Sequence, residues 1–194
     1  MAHASSAPGI VVLSASPNVA TSTTRHAVSR LFDHVAAQGG GTGHRIIDVP
    51  LLPGLAAPDR ASAGPELEAA LRATETASLI LAATPVYKGS YPGLFKHFVD
   101  LLDYRALVGV PVGLLASGGS DRHALVIEHQ LRPLFSFFQA QVLATGVFVT
   151  SRHVEADGRV EAEIDERLRR LAHEIVVALG YAPALTAHRV RDAA

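Results

Sequence analysis

Short apolar segments alternate with amphipathic segments along most of the chain, and this alternation restricts the possible folds more than any other feature. Five apolar segments predict buried strands, at residues 9–16, 44–50, 78–85, 110–117 and 143–151. Segments with apolar residues at helical spacing predict helices, at residues 23–38, 64–77, 92–102, 122–139 and 163–180. The sequence therefore predicts five strands, each followed by a helix.

Near-continuous apolar strands separated by helices are typical of a parallel sheet with helices on both faces. Five such units favour a flavodoxin-like α/β three-layer sandwich with strand order 2-1-3-4-5 over a six-stranded dinucleotide-binding fold. We expect residues 1–194 to form one domain, with residues 1–8 and 182–194 as loosely ordered ends.

Composition excludes several classes of function. The net charge of -1 gives no electrostatic basis for binding nucleic acid or an anionic membrane, and no apolar run is long enough to span a bilayer. The absence of cysteine excludes disulfides and thiolate catalysis. The ten histidines have no metal-binding spacing, so no metal site is predicted. No export signal is recognisable, and we expect a soluble cytoplasmic protein.

Ligands of such sheets bind at the carboxyl ends of the strands, near the switch in strand order. In this chain the ends of strands one, three and four lead into loops at residues 14–24, 84–93 and 117–123. Because these three loops share one edge of the predicted sheet, we expect them to form a single binding site.

The first loop is rich in hydroxyl groups and leads into a helix N-terminus, where backbone amides favour an anion. Its hydroxyl donors are Ser16, Thr21, Ser22, Thr23 and Thr24. Without the glycine-rich nucleotide motifs, such a loop suits the monophosphate of a flavin mononucleotide (FMN) better than a pyrophosphate. A plain N-cap loop explains the same hydroxyl groups equally well.

The second and third loops offer backbone groups and flat side chains to a planar ring. The second contains Pro85, Val86, Tyr87, Lys88 and Gly89, in which a stiff turn, an aromatic face and a positive charge follow one another. An ordinary loop with tyrosines over the core edge is the alternative interpretation. The third loop allows close backbone approach through Ser117, Gly118, Gly119 and Ser120.

Two stretches, residues 84–102 and 118–140, resemble the NAD(P)H-dependent FMN reductases with a flavodoxin-like fold. The resemblance covers roughly residues 10–180 and is strongest to the reductases of bacterial alkanesulfonate and methanesulfonate monooxygenase systems. Ser16, Thr21 and Thr23 follow the family's phosphate-loop pattern, whereas Asn18 stands where many members have arginine. That exchange removes a charged phosphate contact.

The resemblance implies that FMN binds at this edge and receives a hydride from NADPH or NADH. Reduced flavin would then pass to a monooxygenase partner, in sulfonate sulfur assimilation. Hydride transfer is the chemistry of the cofactor, so the protein needs to supply only position and electrostatics. Accordingly, the sequence contains no recognisable nucleophile–base pair, and we predict no catalytic side chain.

Pro133 lies inside the helix predicted at residues 122–139 and cannot donate a hydrogen bond to the carbonyl of His129. We therefore expect a kink or a π-type turn near His129. In the resembling reductases an inserted residue, often a tyrosine, makes a π turn at this place. His129 is thus a possible modulator of the site, and a harmless kink with a solvated His129 is the alternative.

Two helices carry predictions about buried faces. In the helix at residues 92–102, Leu94 is expected on the buried face. In the helix at residues 122–139 the buried stripe is predicted to comprise Ala124, Ile127, Leu131, Leu134, Phe135 and Phe138. Val126 and Phe137 lie off that stripe and predict a second apolar surface. We expect this surface at a subunit interface, and the resemblance implies dimers that pair into tetramers.

Two other functions are compatible with the sequence. One is a flavoprotein that keeps FMN tightly bound and reduces quinones, azo compounds or metal oxyanions, although Asn18 favours loose binding. The other is a non-catalytic electron carrier like a flavodoxin. Flavodoxins are strongly acidic, so the net charge of -1 disfavours that function.

Overall fold

The strands form one parallel sheet in the order β2-β1-β3-β4-β5, which confirms the predicted flavodoxin-like topology. The five strands are β1 Ile10–Ser14, β2 His44–Asp48, β3 Leu79–Pro85, β4 Pro111–Gly118 and β5 Gln141–Thr150. The computed structural model describes residues 9–41, 43–154 and 159–180. The ends predicted to be loosely ordered, 1–8 and 182–194, lie outside the described residues.

Helices cover both faces of the sheet, as predicted for strands that are apolar throughout. The helices are α1 Thr23–Ala37, α2 Pro65–Glu75, α3 Gly93–Asp100, α4 Arg132–Phe137 and α5 Ala162–Ala178. The apolar residues of α1 and α5 pack with one face of the sheet, and those of α2, α3 and α4 pack with the other. Within the described part of the chain, no helix is both long and apolar enough to span a membrane.

The central strand β3 has no solvent-accessible side chain from Leu79 to Ala83. Its alternate side chains enter the two cores: Ile80 packs on the α2–α4 side, and Leu81 packs on the α1–α5 side. β3 pairs with β1 and β4. The chain reaches solvent only beyond Thr84, so the loop that follows lies directly above the core.

An ion-pair cluster joins α1 to α5 on one face. The Arg30 guanidinium donates to both carboxylate oxygens of Asp165 at 2.6 and 2.9 Å, and His34 Nε2 lies 2.9 Å from one of them. These contacts, with Arg30 as the main cause, lower the pKa of Asp165 to about 2. A depressed carboxylate pKa stabilises the fold above the usual pKa of about 4, and this stabilisation is lost as pH falls through about 2.

The helix predicted at residues 122–139 is interrupted, and the interruption is a π turn. A 3-10 turn at Asp121–His123 is followed by a π-helical turn at Ile127–Leu131, and α4 begins directly after it. Pro133 stands in the first turn of α4, and because it has no N–H, regular α-helical bonding cannot continue from it to the His129 carbonyl. The expectation of a π-type turn around His129 is therefore confirmed.

The π turn also explains two wrong burial predictions. Val126 was expected on a second surface, but it is 5% exposed and belongs to the core. Ala124 was expected in the core, but it is exposed. A π turn contains more residues per turn than an α-helix, so helical spacing cannot be extended through it. Phe137 follows the turn and is 70% exposed, as predicted.

Leu94 is a further departure from the predicted burial. It lies in the first turn of α3 and is 48% exposed, whereas its neighbour Phe95 is fully buried. The face of α3 that enters the core is formed by Phe95, Phe98 and Val99, and it does not include Leu94.

The edge strand β5 bulges where it passes the π turn. Val112 of β4 pairs with Val142, but Leu114 pairs with Gly146, so β5 has extra residues between them. Arg132 donates to the carbonyl oxygens of Leu143 and Ala144 at 2.9 and 3.2 Å.

Two further charged side chains bond the backbone of the same bulge. The backbone N–H of Thr145 donates to the Glu174 carboxylate at 3.0 Å, and Arg167 donates to the carbonyl of Gly146 at 2.8 Å. Side chains from α4 and α5 therefore satisfy backbone groups that the bulge leaves without a strand partner.

Ile127, the first residue of the π turn, is seated against Gly146 of β5. A Cβ atom at Gly146 would lie 2.5 Å from Ile127 Cγ2, which belongs to a stiff β-branched side chain. Gly146→Ala should therefore displace the turn and lower the free energy of unfolding by roughly 1–3 kcal/mol in a denaturant titration. Gly43→Ala is the control, because its Cβ would meet nothing within 4 Å. Equal stability of the two variants would contradict this seating.

Candidate functional site

The three predicted loops meet in a cavity of about 260 Å³ at the carboxyl ends of β1, β3 and β4. Ten of the fifteen residues predicted for the site line this cavity. The lining comprises Ser16, Ser22, Thr23, Thr24, Pro85, Val86, Tyr87, Ser117, Gly118, Gly119 and Ser151. The other five predicted residues lie in the same loops but outside the lining, and they are Asn18, Thr21, Lys88, Gly89 and Ser120.

The N-terminus of α1 forms one wall of the cavity. Ser22 is the N-cap, and its hydroxyl accepts a hydrogen bond from the backbone N–H of Arg25 at 3.3 Å. The amides of Thr23 and Thr24 precede the first intrahelical donor, so they have no partner within the helix. This wall therefore offers backbone amides and the positive end of the helix dipole to an anion.

The hydroxyl of Thr24 is not available to a ligand in the same way. Thr24 Oγ1 lies 2.6 Å from Ser117 Oγ, and both residues are buried. This hydrogen bond joins the first turn of α1 to the end of β4. It fixes the first and third loops relative to each other across the floor of the cavity.

The loop before α1 is held by its own polar side chains. Asn18 Nδ2 donates to Thr21 Oγ1 at 2.7 Å, and the backbone N–H of Thr21 lies 3.3 Å from Asn18 Oδ1. Ser16 Oγ donates to the carbonyl of Asn18 at 3.2 Å. Asn18 and Thr21 therefore shape the loop, while Ser16, Ser22 and Thr23 reach the cavity.

The loop after β3 is a tight two-residue hairpin. Tyr87 and Ser90 exchange backbone hydrogen bonds at 2.8 and 3.2 Å. Between them, Lys88 and Gly89 have φ values of 54° and 84°, and a type I′ turn needs positive φ at both central residues. The left-handed conformation costs a lysine roughly 1–2 kcal/mol. The hairpin holds Lys88 at the rim and leaves Tyr87 half-exposed beside the cavity.

The two glycines at the end of β4 have different surroundings. A Cβ atom at Gly118 would lie 2.8 Å from Cζ of Phe148, which packs beside the strand end. At Gly119 a Cβ would meet nothing within 4 Å, so the space above it is open. Val86 donates its backbone N–H to the carbonyl of Ser117 at 2.7 Å, which joins the second and third loops.

The end of β5 contributes residues that the sequence prediction missed. Ser151 lines the cavity, and Arg152 next to it forms an ion pair with Asp121 of the third loop. His153 Nδ1 accepts the backbone N–H of Thr150 at 3.2 Å. The position of Ser151 directly after a strand of the same parallel sheet was the available signal, because all strand ends share this edge.

The π turn is connected to the cavity through one hydrogen bond. Ser90 Oγ, in the hairpin, donates to Gln130 Oε1 at 3.1 Å, and Gln130 follows His129 in the turn. His129 itself is exposed and does not line the cavity. The structure thus brings the π turn to the rim of the candidate site, while His129 stays outside it.

The lining of the cavity contains no ionisable group other than the phenol of Tyr87. Among the described residues, no group of three or more histidine and acidic side chains is placed to hold a metal ion. A larger groove of about 620 Å³ lies between the first half of β5 and α5, away from the strand ends and their loops. The smaller cavity is therefore the better candidate site, because it collects amides, hydroxyls and glycine backbone from three loops.

The chain resembles known flavin reductases in sequence and structure. It is 55% identical over 109 residues to the NADH-dependent FMN reductase SfnF of Pseudomonas fluorescens, covering 56% of this chain and 58% of that protein. It is 48% identical over 121 residues to an FMN reductase (NADPH) of Pseudomonas aeruginosa, covering 62% and 65%. Each match therefore leaves more than a third of the relative uncovered.

One solved structure is similar over nearly the whole chain. The apo form of an NADH:FMN oxidoreductase (EmoB) superposes with a TM-score of 0.77 and 30% identity, covering 90% of this chain and 91% of the other. Residues 8–155 match the protein family described as NADPH-dependent FMN reductase. With this match over most of its length and the fold described above, the chain belongs to the NADPH-dependent FMN reductase family.

Proposed function

We propose that this protein reduces FMN with NADPH or NADH and releases the reduced flavin to a monooxygenase, in the assimilation of sulfur from sulfonates. The observation that carries the proposal is the cavity in which the loops after β1, β3 and β4 meet, in a member of an FMN reductase family. Relatives named as NADH-dependent and NADPH-dependent FMN reductases support the reaction. We also propose that this reaction takes place in the cytoplasm, where both nicotinamide cofactors are available.

The residues of the cavity fit a flavin mononucleotide. The amides of Thr23 and Thr24 and the hydroxyls of Ser22 and Thr23 would hold the phosphate. Backbone groups of residues 85–89 and 117–120 would lie against the ring and the ribityl chain. When bound, FMN supplies the hydride-accepting chemistry, and these residues position it. An uncharged lining is consistent with a site that orients a cofactor and transfers no proton itself.

Loose binding is favoured over retention of the flavin. The cavity of about 260 Å³ is smaller than the roughly 300–1,000 Å³ of enclosed small-molecule sites, so much of the ring would remain accessible. No lysine or arginine lines the cavity, so no side-chain cation faces the phosphate there. The second candidate is a flavoprotein that keeps FMN tightly bound and reduces quinones, azo compounds or metal oxyanions. The family fold favours this candidate.

Turnover with added flavin distinguishes the two candidates. We expect the purified protein to be colourless and to oxidise NADH or NADPH rapidly only when FMN is supplied, because the flavin is a substrate that leaves. The measurement is the decrease in nicotinamide absorbance with each cofactor, with and without FMN. A yellow protein that reduces quinones without added FMN would favour the second candidate, and no oxidation at all would leave only an electron carrier.

The phosphate position can be tested at the N-terminus of α1. Replacing Thr21 and Thr23 together by alanine should weaken FMN binding several-fold, because a hydroxyl donor and a loop contact are lost together. Flavin fluorescence titration measures the affinity. Thr76→Ala is the control, since that exposed hydroxyl bonds the carbonyl of Arg72 at the end of α2. Unchanged FMN affinity in the double variant would move the phosphate elsewhere.

We also propose that the protein is a homo-oligomer, a dimer or a tetramer, with the π-turn region at a subunit contact. Large apolar side chains are exposed around this region: Leu125 before the turn is 63% exposed and Phe137 after it is 70% exposed. Leu94 on α3, the neighbouring helix of the same sheet face, is 48% exposed. Such side chains on one side of a sheet are typical of surfaces that pair with another chain.

Replacing His129 should affect assembly or flavin retention more than folding. His129 is exposed in the π turn, and the adjacent Gln130 accepts a hydrogen bond from Ser90 of the hairpin that follows β3. We therefore expect His129→Ala to change gel-filtration mass or FMN affinity with little loss of thermal stability. The control is His123→Ala, an exposed histidine before the π turn. If both variants match the wild type in mass, affinity and rate, His129 is only a solvated side chain.

A further inference from the structure

Arg25, in the first turn of the helix that leads the candidate phosphate site, is paired with an acid at the end of β2. Arg25 is the third residue of α1 and directly follows Thr24. One nitrogen of its guanidinium lies 2.5 Å from both carboxylate oxygens of Asp48, the last residue of β2. The two side chains are 21% and 25% exposed, so the pair is largely sheltered from solvent.

This pairing removes the charge that an anion at the head of α1 would otherwise meet. Arg25 and Asp48 together have no net charge, and the lining of the cavity adds no cation of its own. The carboxylate of Asp48 would itself repel a phosphate nearby. The phosphate is thus left with amides, hydroxyls and the helix dipole, which are weaker partners than a guanidinium.

The Asp48 carboxylate does not bond every donor of the Arg25 guanidinium. Its Nε is buried and has no hydrogen-bond acceptor. A structural ion pair that served only stability would be expected to satisfy such a buried donor. Among the described residues, Asp48 therefore satisfies Arg25 only in part, and Arg25 lines a neighbouring groove beside α1 and β2 rather than the cavity itself.

We propose that Asp48 is a positioning residue that weakens phosphate binding by engaging Arg25, and thereby sets how readily the flavin leaves. This inference rests on the proposed function, because it concerns the site in which FMN would bind. It assigns to the chain a device for low affinity in addition to Asn18: a cation is present beside the site, but it is neutralised by Asp48. Removing the acid should then tighten FMN binding.

The test compares two flavins that differ only in the phosphate. Asp48→Asn keeps the shape of the side chain and removes its charge. We expect this variant to bind FMN about threefold to tenfold more tightly than the wild type at low salt, as one unmasked positive charge near a phosphate would. Riboflavin, which has no phosphate, should bind both proteins equally. Flavin fluorescence titration measures both affinities.

Two variants control for charge and for the pair itself. Asp33→Asn removes the same charge from α1, but Asp33 lies eight residues beyond Arg25, about 12 Å along the helix, and 4.0 Å from Arg30. It should leave FMN affinity within about twofold of the wild type, because solvent screens this distant, exposed charge. The double variant Arg25→Gln/Asp48→Asn should also return to within about twofold, since it contains neither charge.

The outcomes separate this inference from the proposed function. A wild type that binds no flavin contradicts the proposed function, whereas a wild type that binds FMN no more weakly than Asp48→Asn overturns the role of Asp48. Equal tightening for riboflavin also overturns it, because the effect would not depend on the phosphate. If Asp48→Asn does not fold, Asp48→Ser is titrated in its place: tighter binding of FMN but not of riboflavin supports the role of Asp48, and unchanged FMN affinity overturns it.

Discussion

The complete burial of β3 is the constraint on which the rest of the structure depends. A strand covered on both faces can satisfy its backbone only through its neighbours β1 and β4. Those three strands must therefore end together, and the loops that leave them must begin at the same edge. The hydrogen bonds from Val86 to Ser117 and between Thr24 and Ser117 then join these loops into one wall. The candidate site follows from the burial of the strand beneath it.

Much of the fold was predictable because it depends on patterns that the sequence displays directly. Apolar runs separated by helical spacing indicated the sheet order, and Pro133 indicated the π turn. The burial of Val126 was not predictable, because a π turn changes the phase between the residues before it and those after it, and the sequence does not reveal that change. The burial prediction for Leu94 was wrong for a related reason, because a shift of one position decides which side of a short helix enters the core.

The site was predictable in its location and less so in its internal contacts. A list of hydroxyl groups does not say which of them bond each other. Thr24 and Thr21 were predicted as donors to a phosphate, yet their hydroxyls have partners in Ser117 and Asn18. The ion pair of Arg25 and Asp48 was equally invisible, because its members come from a helix and a strand 23 residues apart. Such pairings depend on distances that only the folded chain determines.

The bulge in β5 has a consequence for how the molecule avoids aggregation. An edge strand with free backbone groups is a template on which another sheet can grow. In β5 the backbone groups of residues 143–146 are already bonded by Arg132, Glu174 and Arg167. A foreign strand would have to displace these charged partners before it could pair there. The same side chains that hold the bulge thus close this part of the sheet to fibril-like growth.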